Sequence, residues 1–220
     1  MNWRTHINEW INALKPYIDG PAHIDIRGSI TDDELDDFED EIEYEVPEQL
    51  REFLLNESAY IDFWWDLKSN VVPLDVPDKP HSGYIEFNLE TMLNLNADRL
   101  GWLSGNEPQI IKQQWKQAFV FLGVPNGDRI ALDVFQNQDD PPVIYLNHEE
   151  PEKQARLADT FNEFIESWFA LGCVGNEGWN MRHFVTDKGK PLGDSDYGTA
   201  TSKLDLTCPN AIVFRNFFKL

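Results

Sequence analysis

Residues that could act as nucleophiles are few in this 220-residue sequence. It has no Gly-x-Ser-x-Gly elbow, and its only two cysteines are Cys173 and Cys208. Nucleophilic catalysis needs an activated serine or cysteine within reach of a base. Cys173 comes just after the apolar face of a predicted helix, so we expect it to be a small buried hydrophobe. The two cysteines match neither a disulfide framework nor a metal-site spacing.

Residues that could hold a metal or a phosphate are equally sparse. The five histidines are scattered, and His148-Glu149-Glu150 is the one local cluster of possible ligands. Adjacent residues on a strand point to opposite faces, so we interpret this cluster as a polar connection between a strand and a helix. The segment from Gly101 to Gly105 lacks the phosphate-loop pattern and its lysine. With 39 acidic residues, no chosen carboxylate pair is informative about glycosidase chemistry.

We therefore predict a protein that is not an enzyme, with no catalytic residue, no metal and no cofactor. An enzyme with an unrecognised site remains an alternative. The net charge points instead to a class of partner, because 39 acidic residues stand against 18 basic ones and give a formal charge of -21. Such a field repels nucleic acid and anionic lipid and attracts basic proteins. Solubility alone is the competing explanation of this charge.

Targeting signals are not evident in the sequence. No stretch approaches the roughly 18 consecutive apolar residues of a membrane span. The first residues lead into an amphipathic pattern and not into an apolar signal-peptide core. We therefore expect a cytoplasmic protein that binds neither membrane nor nucleic acid.

The densest charge lies on a predicted helix that starts at Thr31. Thr31-Asp32-Asp33-Glu34 fits a capping box, and ten of the fifteen residues 31–45 are acidic. Acids suit the first turn of a helix, but farther along they repel one another. An inward stripe of Leu35, Phe38 and Ile42 leaves most of them facing outward. The candidate partner-binding acids are Asp36, Asp37, Asp40 and Glu41, and a merely solvated face is the alternative.

A second candidate surface is the aromatic segment Tyr60 to Leu67, which has strand propensity. Binding hot spots favour Trp and Tyr. We therefore take Tyr60, Trp64 and Trp65 as candidate partner-binding residues, with a core strand as the alternative.

The other elements follow from periodicity and turn chemistry. Helices are predicted over 3–18, from Pro47 onward, and from about Pro151 to Leu171. Ile24 to Ile26 suits a first strand, and residues 99–118 fit either helix or loop. In the tail, Ala211 to Phe214 is strand-like. We expect the tail to pack on the main domain because it is too apolar for a free linker.

The clearest sheet signal lies between residues 118 and 146. Asn126-Gly127-Asp128 is turn chemistry between an apolar strand and an alternating one. Ile130, Leu132 and Val134 alternate with Arg129, Ala131 and Asp133, which predicts a strand with one buried face. After Pro141-Pro142 a third strand, Val143 to Leu146, completes an antiparallel meander.

Three groups of motifs together resemble the SUKH superfamily, the Smi/Knr-like fold. The first group is Ile30-Thr31-Asp32-Asp33-Glu34-Leu35, Phe38-Glu39, and Val46-Pro47-Glu48-Gln49-Leu50-Arg51-Glu52-Phe53-Leu54. The second group is Phe121-Leu122-Gly123, Asn126-Gly127-Asp128 and Leu132-Asp133. The third group is Val143-Ile144-Tyr145-Leu146, His148-Glu149, Leu157-Ala158-Asp159-Thr160-Phe161 and Phe164-Ile165. Val46 stands where Leu is commoner in this family, and Thr160 stands where Ser is more usual.

This resemblance implies an α+β fold with helices at both ends of the chain packed on a largely antiparallel sheet. It divides the chain into an N-terminal helical extension (1–27), a SUKH-like core (28–172) and a C-terminal extension (173–220). Many bacterial members are immunity proteins that bind and neutralise a cognate toxin, often a nuclease, whereas fungal members are regulatory scaffolds. The resemblance therefore implies a non-catalytic immunity protein for a basic toxin, with a regulatory or scaffold module as the alternative.

Overall fold

A computed structural model of the chain describes residues 2–98, 101, 103, 105, 107–137, 139–151, 154–175, 177–185 and 203–220. Among these residues, helices and two antiparallel sheets follow one another along the chain, which confirms the α+β prediction. The helices are α1 Trp3–Leu14, α2 Asp32–Ile42, α3 Glu48–Asn56, α4 Leu89–Asp98, α5 Gln109–Gln117, α6 Phe161–Ala170, α7 Gly178–Met181 and α8 Pro209–Phe217. The strands are β1 His23–Ile26, β2 Tyr60–Asp66, β3 Ser82–Asn88, β4 Phe119–Gly123, β5 Arg129–Leu132, β6 Val143–Leu146 and β7 Ala155–Ala158.

The first sheet has the strand order β1-β2-β3 and one covered face. Burial alternates along β2 and β3, as it does in a strand with one face on the core. Ile61, Phe63 and Trp65 of β2 point inward, as do Ile85 and Phe87 of β3. No element of the described residues covers the opposite face, and its side chains form one of the candidate sites below.

The second sheet has the order β4-β5-β6-β7 and is buried on both faces. One face joins the main core. The other packs on α5, where Ile111 and Trp115 cluster with Val120, Ala131 and Ile144. The prediction that only one face of the β5 strand is buried is therefore wrong, because α5 covers the second face.

Both ends of the chain contribute to the same hydrophobic core. Trp3 of α1 contacts the rings of Phe53 and Phe169, and Phe214 of α8 packs on Trp10. Trp10 belongs to the same cluster as the inner face of the first sheet. The described parts of residues 1–27 and 173–220 therefore pack on the centre of the chain, while the domain boundaries themselves stay predictions.

Two predicted elements differ in the structure. The strand expected over Ala211 to Phe214 is wrong, because α8 begins there, with Pro209 in its first turn and Cys208 Sγ accepting from the Ala211 amide. The helix expected from about Pro151 starts only at Phe161, after the Thr160 N-cap. Leu157, which fitted the helical period, lies instead in β7.

None of the described helices is both long enough and apolar enough to cross a membrane.

Candidate functional site

The acidic helix α2 begins with the capping box that its sequence predicts. The Glu34 amide donates to Thr31 Oγ1 over 3.3 Å, and the Thr31 amide donates to Glu34 Oε2 over 2.8 Å. The bond from the Thr31 backbone lowers the pKa of Glu34, so this carboxylate stays charged at the positive end of the helix. Acidic residues in the first turn therefore stabilise the helix, and this stabilisation accounts for their presence there.

The other end of α2 has the opposite electrostatics. The helix ends at Ile42, Glu43 follows in the left-handed conformation (φ 54°), and no basic residue lies in the last turn. A helix C-terminus carries a partial negative charge that cations stabilise. Asp40 and Glu41 therefore lie where their charge is unfavourable for the free protein.

Burial separates the faces of α2 as predicted. Leu35 and Phe38 are buried, and Ile42 packs against the same core. The four predicted partner-binding acids of this helix are all exposed: Asp36, Asp37, Asp40 and Glu41.

An arginine of the next helix offsets part of this charge. Arg51 of α3 contacts Glu39 (2.7 Å) and Asp36 (3.4 Å). The hydrogen bond to Glu39 is the main cause of a raised pKa of Arg51. Glu39 also accepts a hydrogen bond from the Val46 amide, so it fixes the turn between α2 and α3.

The remaining acids form what we term the acidic surface: Asp37, Asp40, Glu41, Glu43 and Glu45. None of them makes an ion pair with another residue that the structure describes. A shallow groove of about 640 Å³ runs beside them and is also lined by Asp36, Glu39 and Tyr44. A second groove of the same volume shares Glu43, Tyr44 and Glu45 and continues past Val46 to Glu48, Val134 and Asp139. The surface is therefore a broad acidic depression and not an isolated helix face.

The second candidate site is the open face of the first sheet, which we term the sheet face. Strand register places His23, Trp64 and Tyr84 opposite one another in one row. The next row along the same face is a line of carboxylates, in which Asp25, Asp62 and Glu86 are paired in register. The face thus combines rings with acids.

Local contacts fix most of these side chains. The His23 ring stacks on Trp64, with centroids 5.5 Å apart, and His23 Nε2 lies 3.0 Å from Asp62 Oδ2. Tyr84 OH donates to Glu86 Oε2 over 2.6 Å. Burial, followed by this bond, raises the pKa of Tyr84, so the phenol stays protonated and keeps its donor role.

The two neighbouring tryptophans of β2 have opposite environments. Trp64 is 44% exposed, whereas Trp65 is 1% exposed, stacks on Trp10 and donates its indole N–H to Gly172 O over 2.8 Å. Consecutive strand residues face opposite sides of a sheet. The prediction that Trp65 contacts a partner is therefore wrong, while Trp64 and the half-buried Tyr60 lie on the sheet face.

The structure thus brings the predicted acids together on α2 and places Tyr60 and Trp64 on a different surface. Sequence reasoning missed five members of the sheet face: His23, Tyr84, Asp25, Asp62 and Glu86. The alternation of apolar and polar residues in β1, β2 and β3 shows which of them face outward. Their alignment in rows depends on strand register, which single strands do not specify.

The predicted polar cluster around His148 lies in the loop after β6 and connects two strands, not a strand and a helix. His148 Nδ1 lies 2.7 Å from Asp128 Oδ1, and the Tyr145 hydroxyl donates to Asp128 Oδ2 over 2.6 Å. Asp128 therefore ties this loop to the hairpin turn. No group of metal-ligating side chains occurs within the described ranges. Cys173 is fully buried, and burial raises its thiol pKa well above the ordinary value, which agrees with its predicted core role.

Comparison with known proteins adds a family to these observations. No individual curated protein matches the chain. Residues 29–167, more than half of the sequence, match the SMI1 / KNR4 family (SUKH-1). The match covers α2, the acidic surface, strands β2 to β7 and residues 161–167 of α6, whereas β1 lies before it. It also agrees with the resemblance seen in the capping, hairpin and closing-helix motifs, so this chain belongs to the SMI1 / KNR4 (SUKH-1) family.

Proposed function

We propose that this protein is a non-catalytic immunity protein that binds and neutralises a cognate bacterial toxin with a basic surface. The observation that carries the proposal is the acidic surface at the C-terminal end of α2. Asp40, Glu41 and Glu43 lie at the negative end of the helix dipole, where the last turn has no basic residue, and no acid of this surface makes an ion pair with another described residue. They do not stabilise the free helix, so a positively charged partner gives them a purpose.

The physics of association supports this choice of partner. Nuclease toxins tend to be basic because their substrate is a polyanion. Opposite fields accelerate the encounter of two proteins, and rate constants can rise by ~10- to 1,000-fold. An inhibitor with a formal charge of -21 and a dense acidic depression would meet such a toxin quickly. Neutralisation would occur in the cytoplasm of the cell that makes both proteins.

Membership of the SUKH-1 family is consistent with this role, since the resemblance implies immunity proteins among bacterial members. It also implies regulatory scaffolds among fungal members. A regulatory or scaffold module therefore remains the alternative, and a basic protein other than a toxin would then occupy the acidic surface. The identity of the bound partner separates the two.

Binding kinetics test the proposal directly. We would measure association with the product of a toxin gene adjacent to this one at two salt concentrations. The test variant carries Asp37→Lys, Asp40→Lys and Glu41→Lys, and leaves Asp36 in its contact with Arg51. We expect association to slow by about tenfold or more at low salt, and the difference to shrink at high salt because ions screen the field.

A charge-matched control separates local from overall charge. Glu9→Lys, Asp19→Lys and Glu52→Lys make the same change in net charge at exposed positions outside α2. This control should slow association much less than the α2 variant. Equal effects of the two variants would show that only net charge matters. No binding to any neighbouring toxin by the folded wild type would favour the scaffold alternative.

A further inference from the structure

We propose that the sheet face binds an arginine side chain of a protein partner, with the guanidinium stacked on Trp64 and its charge met by Asp62 and Glu86. The inference goes beyond toxin neutralisation, because it concerns the chemistry that the face recognises and not the identity of the protein that carries the arginine.

The chain itself contains an example of this recognition beside the row of Asp25, Asp62 and Glu86. Arg27 Cζ lies 3.8 Å from the centre of the Tyr60 ring. The same guanidinium contacts Asp25 Oδ2 through Nε at 3.2 Å and Nη2 at 2.9 Å. A ring beneath the guanidinium and a carboxylate at its edge are thus already combined on this face. Trp64 offers a ring and Asp62 and Glu86 offer carboxylates in the same way, but no guanidinium of the described residues lies over Trp64.

The charge balance of the face favours a cation. Asp25, Asp62 and Glu86 are directly paired across three strands, and like charges opposite one another destabilise a sheet. Strands β1 to β3 contain no lysine or arginine, and Arg27 follows β1 and contacts Asp25. Asp62 is left with His23, and Glu86 with hydroxyl and amide donors. A partner cation between them would remove this repulsion.

The geometry of the face is fixed before any partner arrives. His23 stacks on Trp64 at an interplanar angle of 18° and contacts Asp62, so one residue orients both the ring and the acid. Tyr84 orients the Glu86 carboxylate in the same way, and Thr91 Oγ1 donates to the other oxygen over 3.2 Å. Pre-oriented side chains lose little entropy on binding. The 44% exposure of Trp64 leaves area for a stacked ligand.

Arginine fits this arrangement better than other cationic groups. Its guanidinium is planar, stacks on aromatic rings and donates in a fork to carboxylates, whereas lysine presents a compact and strongly hydrated charge. Nucleic acid and anionic lipid are excluded by the row of acids. The occupant is therefore an arginine-bearing segment of a basic protein.

The test uses a small probe and the full chain. Nitrogen-15-labelled protein is titrated with N-acetyl-arginine N-methylamide, and the indole N–H resonance of Trp64, identified through Trp64→Phe, is followed. N-acetyl-citrulline N-methylamide has nearly the same shape without the charge and is the ligand control. We expect a saturable shift with a Kd on the order of 1–10 mM for arginine, and at least tenfold weaker binding of citrulline.

Matched variants locate the site. Asp62→Asn and Glu86→Gln should each weaken arginine binding about fivefold or more, with the other resonances unchanged as a check of folding. Glu52→Gln, at an exposed position of α3 on the covered side of the first sheet, removes one charge and should leave binding unaltered. Equal shifts with citrulline, or unaltered binding in both sheet-face variants, would overturn the inference.

This outcome is separable from that of the proposed function. If the protein binds arginine at Trp64 but binds no toxin, the result supports arginine recognition and contradicts the proposed toxin partner. If the protein binds a toxin but the Trp64 resonance does not shift with arginine, the result supports the toxin partner and contradicts arginine recognition. The Asp37, Asp40 and Glu41 variant should retain the Trp64 response.

Discussion

The two sheets of this protein use antiparallel strands for different purposes. The β4–β7 sheet has the main core on one side, and α5 covers β4 to β6 on the other, so these three strands have no free face for a partner. Among the residues that the structure describes, the β1–β3 sheet has the core on one side only, and its open side presents Trp64 among carboxylates. A sheet covered on both faces adds stability, whereas a sheet covered on one can also bind.

Within the open sheet, the same comparison holds between adjacent residues, and it gives the largest expected effect. Trp65→Ala removes a buried ring that stacks on Trp10 and should cost about 3–5 kcal/mol of unfolding free energy. Trp64→Ala removes an exposed ring and should cost less than about 1 kcal/mol. Chemical denaturation followed by circular dichroism measures both. Similar midpoints for the two variants would contradict the assignment of the faces.

The second largest expected change in stability comes from adding a larger side chain to each of the two sheets. Ala131→Leu places extra methyl groups between β5 and α5, where Ala131 is fully buried, and should cost about 1–3 kcal/mol. Asp66→Leu adds a similar side chain at an exposed position of β2 and should change stability by less than about 0.5 kcal/mol. Denaturation midpoints in urea compare them. An unchanged midpoint for Ala131→Leu would mean that α5 does not seal this face.

Part of this comparison could be predicted from the sequence. Trp64 shares its strand parity with Asp62 and Asp66, and Trp65 shares its parity with Ile61 and Phe63, so alternation alone separates the two tryptophans. The start of α2 was equally predictable, because a capping box is a local signal. Local chemistry thus gives elements and faces.

Tertiary contacts explain what the sequence did not predict. Residues 99–118 fitted either helix or loop, so the sequence did not predict that α5 would cover Ala131. The position of Leu157 matched the period of α6 by coincidence, and the ladder with β6 decides its strand conformation. The row of Asp25, Asp62 and Glu86 exists only after three strands far apart in sequence are brought into register.

The acidic surface differs from the sheets because its residues should weaken the element that carries them. Asp40→Lys and Glu41→Lys put cations at the C-terminal end of α2, and each should raise stability by about 0.3–1 kcal/mol at low ionic strength. Asp32→Lys and Asp33→Lys make the same charge change at the N-terminal end and should lower stability by a similar amount. Thermal denaturation at two salt concentrations measures the differences. Loss of stability on reversal at both ends would remove the argument that these acids serve a partner.

The smallest expected effect is a pH dependence of stability caused by Asp133, a buried residue directly after the central strand β5. Burial raises the pKa of this carboxyl, and hydrogen bonds from the Gln114 side chain and the Gln136 amide act in the opposite direction. Above its ordinary value of 3.8, the unfolded chain releases a proton that the folded chain still holds, so this group lowers stability as pH rises through that window. Asp133→Asn cannot titrate, and the stability of wild type relative to this variant should fall between pH 4 and neutrality. Urea unfolding of both proteins across this range measures the difference in unfolding free energy. The lowered pKa of Glu34 makes stability rise with pH, but this contribution cancels in the difference because both proteins contain Glu34. Parallel curves would show that the hydrogen bonds fully offset the burial of Asp133.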